Sequence, residues 1–469
     1  MTQSKKKTLQ EFPKPISLRK LIGPSFVILA LGLGSGEVIL WPYLVSNYGL
    51  GIAWGALLGI SFQYFINMEI ERYALVKGES VFVGIAKFLK GAPYWFILST
   101  FIGFGLPGIV AASAAVFASL MGFESFEWIA ILFLILVGLI LSSGKTVYGL
   151  MEKLTRSIIL IGVPLVFLLT IILSQKADWS ALALGIFAQG EGYTFFPEGL
   201  ALATFFAAFA YSGAGGNLNL TQSIYIKEKG YGMGKYATKL SGLFQKKGGR
   251  EEIRLEGAGF ADTPEARQRF SVWWKRISFE HALEFWFIGA ISILLLMLLA
   301  YVTTYNLEGN TQGISFVIRE GTAIGAVLGP AFGAGFLLVV TILLFQTQLG
   351  VMDSTSRIMA ENASISYMRI KNESSVPLSK IYYGFLWSQI AFGILLILLG
   401  LSEPKFLLVL GAVINAIAMF VHIGLVSILN FRSIPKFYQP SVFRRILLGV
   451  IFVFFGVFSV VVVTNQFFL

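Results

Sequence analysis

The sequence predicts an all-α integral membrane protein of about eleven transmembrane helices, with the first and sixth broken. Three observations predict it. The 469 residues are 56% hydrophobic and only 13% charged, about half the charge of a soluble domain. The apolar residues come in blocks of twenty or more, the length that crosses a bilayer as helix. Two of those blocks, the first and the sixth, are interrupted by glycine clusters.

The spans are expected at about 21–46, 50–76, 93–121, 126–143, 154–174, 195–226, 282–304, 324–360, 380–401, 405–430 and 443–467. Several exceed what a bilayer needs, so tilt, breaks or extension into water are expected. The basic start, residues 1–20, precedes an apolar run too long for a signal peptide. Of the 36 Lys and Arg, only Lys176, Arg319 and Lys405 fall in segments placed outside when the N-terminus is cytoplasmic. This is the positive-inside pattern, and it places the C-terminus outside. The net charge of +11 is therefore a topology signal, and no nucleic-acid partner is expected. The bilayer and a small solute are. The chain has no cysteine and two histidines, His281 and His422, which excludes disulfides and thiolate metal sites and leaves no histidine-rich one. No soluble-enzyme signature and no Walker loop is present. The chain is expected not to be an enzyme and to need no cofactor, with energy drawn from a gradient.

One long polar insertion, 227–280, is expected on the cytoplasmic side as a solvated loop with a surface helix. Trp273-Trp274 beside Lys275-Arg276 has the composition of an interfacial anchor.

Span one is broken by Gly32-Leu33-Gly34-Ser35-Gly36 and continues with Glu37; span six is broken by Ser212-Gly213-Ala214-Gly215-Gly216-Asn217. The breaks lie five spans apart at similar depth. Five is odd, so matching helices of two such units would run oppositely across the membrane. Paired glycine-interrupted spans point to an inverted-repeat transporter and its binding site. The repeats are expected over 21–174 and 195–430, with 443–467 an additional span. Freed peptide groups cannot be left to lipid, so Gly34, Ser35, Gly36, Glu37, Ala214, Gly215, Gly216 and Asn217 are the candidate substrate-binding residues. Each cluster alone has a bland explanation in close helix packing.

Glu37 is expected to begin the second half of span one, at the positive end of a helix. Asn219, Gln346, Asp353, Asn415 and His422 are candidates for coupling or pathway roles. Asp353 lies in a polar stripe with Gln348, Ser354 and Thr355. Three roles are open for it: binding a coupling ion, shuttling a proton, or pairing with Arg357. His422 is expected to make an interhelical hydrogen bond. Glu69 and Glu71, near the end of span two, are read as ordinary terminal charges.

The opening "GPSFV" of span one, "FQYFINMEIERYALVKGES" of span two, Gln346–Glu361 of span eight and "LLVLGAVINAIAMF" of span ten resemble the Nramp family of metal-ion transporters. The resemblance covers roughly 21–430. It implies a LeuT-type 5+5 inverted repeat and symport of a divalent metal, with H+ or Na+ as the coupling ion. The chain departs from the family at the ligands. The family's Asp-Pro-Gly-Asn falls on Gly34, Ser35, Gly36 and Glu37, its Met-Pro-His near Ala214, Gly215 and Gly216, and its span-ten glutamine on Ala418. Soft ligands are thus missing, and Glu37 with Asn217 is the candidate oxygen-donor pair. Such a site suits Mg²⁺, Ca²⁺ or Mn²⁺. The small residues are expected to leave room, so a transporter of an amino acid or amine is the alternative. A non-transporting membrane protein acting through the insertion is another. The localisation expected is a prokaryotic plasma membrane.

Overall fold

A computed structural model describes residues 9–17, 21, 24–32, 34, 36–143, 162, 164–239, 251–252, 255–373 and 375–467. Ser35 and most of 154–163, the start of the expected fifth span, lie outside the described residues.

Among the described residues, seven helices are long and apolar enough to cross a membrane: Leu50–Lys77, Ala92–Met121, Pro264–Thr304, Pro330–Lys371, Leu378–Leu398, Pro404–Ser433 and Val442–Thr464. They correspond to spans two, three and seven to eleven. Glu127–Ser142 is the shorter span four. Pro164–Leu173, the described part of span five, turns by 117° into Lys176–Ile186. Spans one and six are the two discontinuous ones. Local chemistry sets many of the ends. Prolines stand in the first turn of Pro264–His281, Pro330–Lys371 and Pro404–Ser433, where no backbone donor is lost. The Thr263 hydroxyl accepts from the Ala266 amide, and the Glu403 carboxylate accepts from those of Lys405 and Phe406, caps that satisfy orphan donors. Span two ends on Gly78 at φ +65°, the left-handed stop that glycine adopts without steric cost.

Two boundaries differ from expectation for physical reasons. The expected eighth span, 324–360, merges two elements: Ser315–Leu328 is a separate helix, ended by Gly329 at φ +108° and followed by Pro330. The seventh begins at Pro264 rather than 282. Its charged first part, Pro264–His281, runs through a π-helical turn, Ala282–Phe287, into the apolar helix. Hydropathy registers where lipid begins, not where a helix begins.

The described part of the insertion packs into the protein rather than lying as a solvated loop. Trp273 is buried, and its indole donates to the Pro13 carbonyl at 3.0 Å; it is a core residue and not an interfacial anchor. Around it the N-terminal segment forms a strap. Leu9–Gln10 pairs in parallel with Gly259–Phe260. Arg269 donates to the Phe12 carbonyl at 2.7 Å, Tyr236 to that of Glu11 at 2.9 Å and Arg276 to that of Ile16. Phe12 is buried among Phe260, Phe270 and Tyr438.

On the opposite face, Ser315–Leu328 packs against spans seven and eight and buries Glu320. Burial pushes the Glu320 carboxyl up from its ordinary value near 4.5 to about 8. A folded-state value above the unfolded one favours the neutral acid in the fold. Its contribution to stability is therefore present below about pH 4.5 and is lost as pH rises through about 8. Melting temperature is expected to fall across that window in the native chain. Glu320→Gln is expected to remove that part of the pH dependence.

Candidate functional site

Both predicted breaks are present, and they touch. Span one runs as α-helix over Pro24–Gly32, resumes as a π-helical turn at Gly36–Leu40, and continues as α-helix over Trp41–Tyr48. Span six runs as Leu202–Ala210, loosens through Gly215, and re-forms as a 3-10 turn, Gly216–Leu220, followed by Thr221–Lys229. Gly213, Gly215 and Gly216 have φ of +121°, +69° and +52°, a backbone that a side chain would strain.

A Cβ at Gly32 would lie 2.5 Å from the Gly213 carbonyl carbon, and one at Gly36 would lie 1.9 Å from the Tyr211 oxygen. Span eight closes the same region, since a Cβ at Gly34 would meet Thr347 Oγ1 at 2.4 Å. Span ten closes the other side, with Asn415 Oδ1 at 2.2 Å from a Cβ at Gly216. The expectation that small residues leave room at the breaks is therefore corrected. The glycines are filled by opposing backbone and by two polar side chains.

The freed peptide groups are partly satisfied by a residue that sequence reasoning missed. Gln63 of span two donates through Nε2 to the Ala210 carbonyl at 3.0 Å and accepts at Oε1 from the Gly215 amide at 3.1 Å. It spans the break in span six. Trp41 Nε1 donates to Ser212 Oγ at 2.9 Å, tying the two breaks together directly. A glutamine in mid-span was the available signal for Gln63; its partner lies 147 residues away.

Glu37 is the second residue of the π-turn and is 0% exposed. Neither carboxylate oxygen has a hydrogen-bond partner among the described residues. The backbone amides of Glu37 itself, Gly213 and Gly34 face it without closing a hydrogen bond. An unpaired carboxylate at this depth is costly unless something neutralises it.

The remaining candidates divide into two groups. Asn217 donates to Ser99 Oγ at 2.8 Å and Thr100 Oγ1 at 3.0 Å on span three, leaving Oδ1 unpartnered among the described residues. Asn219 and Gln348 are buried with both amide atoms unpartnered among the described residues, as is Asn67, which the sequence did not single out. His422 is buried and neither ring nitrogen is bonded, so the expected interhelical hydrogen bond is not made among the described residues. Asn415, by contrast, donates to the Gly103 carbonyl at 3.0 Å and Tyr211 Oη at 2.9 Å. Gln346 is buried. Ala214 is buried within the span-six break.

Asp353 is found in the third of its three open arrangements. It pairs with Arg357 Nε at 2.9 Å and accepts from Tyr382 Oη at 2.6 Å, all three side chains being buried. Beyond it, Lys227 at the end of span six lies 3.5 Å from Glu361 of span eight, which also accepts from Ser80 at 2.6 Å. Among the described residues no group of three His, Cys, Asp or Glu side chains forms a metal-holding cluster. A cation beside Glu37 would have one carboxylate, with amide and peptide oxygens for the rest.

Comparison with solved structures bears on the scaffold. The chain is similar to a mutant of the manganese transporter of Eremococcus coleocola, with a TM-score of 0.68 at 10% identity, over 99% of this chain and 91% of that one. It is similar to the same transporter in complex with an aromatic bis-isothiourea compound, with a TM-score of 0.62 at 12% identity. It is also similar to Mhp1, a nucleobase-cation-symport-1 family transporter with bound bromovinylhydantoin, with a TM-score of 0.53 at 13% identity, over 96% and 93%. The fold is LeuT-type. No family model and no curated protein matches the sequence. At these identities the likeness speaks for the fold alone, a multi-pass helical membrane scaffold.

Proposed function

We propose that the chain is a secondary transporter that moves a hard divalent cation, Mg²⁺, Ca²⁺ or Mn²⁺, by alternating access, as a divergent relative of the Nramp family. The observation that carries this reading is Glu37: a fully enclosed carboxylate without a hydrogen-bond partner among the described residues, beside two helix breaks in contact. A cation held there would supply the missing counter-charge. Oxygen ligands would come from Glu37, from freed carbonyls and from the amide oxygen of Asn217, a donor set for hard cations that retain some water. The filled glycine positions favour an ion over an organic solute. In this reading 21–174 and 195–430 are the two repeats, and the face carrying the strap and the insertion is cytoplasmic, as the basic residues require.

The test is uptake into proteoliposomes with fluorescent reporters for the three ions. Glu37→Gln keeps the shape and removes the charge, and is expected to lower uptake by about 100-fold. Uptake unchanged by Glu37→Gln would remove Glu37 as a ligand. No uptake of any divalent ion, with thermal stabilisation by an amine or amino acid, would move the reading to an organic cargo.

A further inference from the structure

Outside the breaks, a group of buried ionisable side chains in contact lies toward the strap-bearing face. Glu71 was read from the sequence as an ordinary terminal charge; it is 1% exposed. His281 Nδ1 lies 3.1 Å from Glu71 Oε1 and 2.8 Å from Ser25 Oγ. Ser25 in turn donates to Glu280 Oε2 at 2.6 Å. Gln222 Nε2 donates to Glu71 Oε1 at 2.5 Å. Glu284, one turn beyond Glu280, is buried beside it. The chain of contacts joins four elements: the first half of span one through Ser25, span two through Glu71, the second half of span six through Gln222, and span seven through the rest.

The proton inventory is restrictive. With Nδ1–H shared between Glu71 Oε1 and Ser25 Oγ, and the Ser25 hydroxyl on Glu280, each contact has its hydrogen, and His281 Nε2 is left without a partner among the described residues. The neutral imidazole then offsets no charge, so the negative charge of the carboxyls depends on bound protons. The surrounding elements supply few other charges. Span six contributes Lys229, facing Glu280. Arg444 of span eleven faces Glu71 and is itself bonded to Glu69 at 3.3 Å. From span two, Tyr64 stacks on His281 at 5.5 Å between ring centroids, and Phe285 stacks on its other neighbour side at 4.8 Å. Span eight, which also packs on Pro24–Gly32, turns its charges elsewhere, Asp353 to Arg357 and Glu361 to Ser80 and Lys227.

We propose that Glu71, His281, Ser25 and Glu280 form a proton-switched latch on the first half of span one. With protons bound, the hydrogen-bonded chain holds Pro24–Gly32 against spans two, six and seven. When the protons leave, buried negative charges face one another, water is drawn in, and Ser25 lets go. The use of such a latch rests on the alternating-access reading above; its existence requires no particular cargo.

The chain contains no cysteine, so a single one reports cleanly. Ile28 is buried on the latched segment, and Ile28→Cys is labelled with a maleimide in the detergent-purified full chain without any cation. Rates are compared, at each pH, between the native latch and the Glu71→Gln/Glu280→Gln background, which cancels the pH dependence of the thiol itself. The native latch is expected to label about tenfold faster than the carboxamide background at about pH 8, and at the same rate at about pH 5.5. An equal ratio at both pH values would overturn the proposal. Ser25→Ala removes the bridge but no titratable group, and is expected to speed labelling at about pH 5.5, where the native latch is closed. No acceleration would equally overturn it. Melting at about pH 5.5 identifies any variant that is merely unfolded, in which case Ser25→Ala decides. Because no ion is present, failure here leaves the transport reading intact, and absence of uptake leaves the latch intact.

Discussion

Gly36→Ala is expected to abolish transport and to destabilise the bundle by more than about 3 kcal/mol. The added methyl would sit 1.9 Å from the Tyr211 carbonyl oxygen and 2.6 Å from its carbon. Both are backbone atoms, and the residues that follow Tyr211 carry the break of span six. Relief therefore requires the two breaks to separate, which would also pull Trp41 from Ser212. In a well-packed interior even one methylene is felt. Gly449→Ala is the matched control, since nothing lies within 4 Å of its added Cβ; it is expected to change stability by less than about 0.5 kcal/mol. Thermal melting in detergent, with uptake in proteoliposomes, separates the two. A Gly36→Ala protein that melts and transports like the native chain would show that the breaks are not packed against each other as described.

Arg357→Met is expected to cost about 3–5 kcal/mol, the second large effect. Arg357 and Asp353 are buried one turn apart on span eight, and Tyr382 of span nine donates to the same carboxylate. Removing the guanidinium leaves Asp353 charged, enclosed and supported by one hydroxyl. The double replacement Asp353→Asn/Arg357→Met removes both charges together and is expected to recover most of the loss. Measured by melting temperature, the pair of variants separates a structural ion pair from an ion-coupling aspartate. If Arg357→Met were neutral, the pairing would not be what holds Asp353.

The helical scaffold and the two breaks were legible in the sequence because they are local signals. Apolar runs of bilayer length mark spans, and glycine clusters with a carboxylate inside them mark where a helix must yield. What was not legible depends on the opposite strand of contacts. Gly36 and Gly213 read as room, because a glycine in a sequence is an absence of side chain; in space the absence is filled by the other break. Gln63 reads as an isolated polar residue until its two backbone partners, Ala210 and Gly215, are known. Glu71 reads as a terminal charge until Ser25 and His281 arrive from 46 and 210 residues away along the chain. Hydropathy likewise began span seven too late by the length of Pro264–His281, since a charged helix facing protein looks the same as a solvated loop.

The strap of residues 11–16 is gripped chiefly through its peptide oxygens, those of Glu11, Phe12, Pro13 and Ile16, by the side chains of Tyr236, Arg269, Trp273 and Arg276. Such recognition is blind to most of the ligand's own side chains. The N-terminal tether is therefore free to drift in composition, Phe12 and the Glu11 partner of Arg269 apart, while the receiving side chains are not. Across descendants of this gene, variation should accumulate on one partner of the contact and be purged from the other.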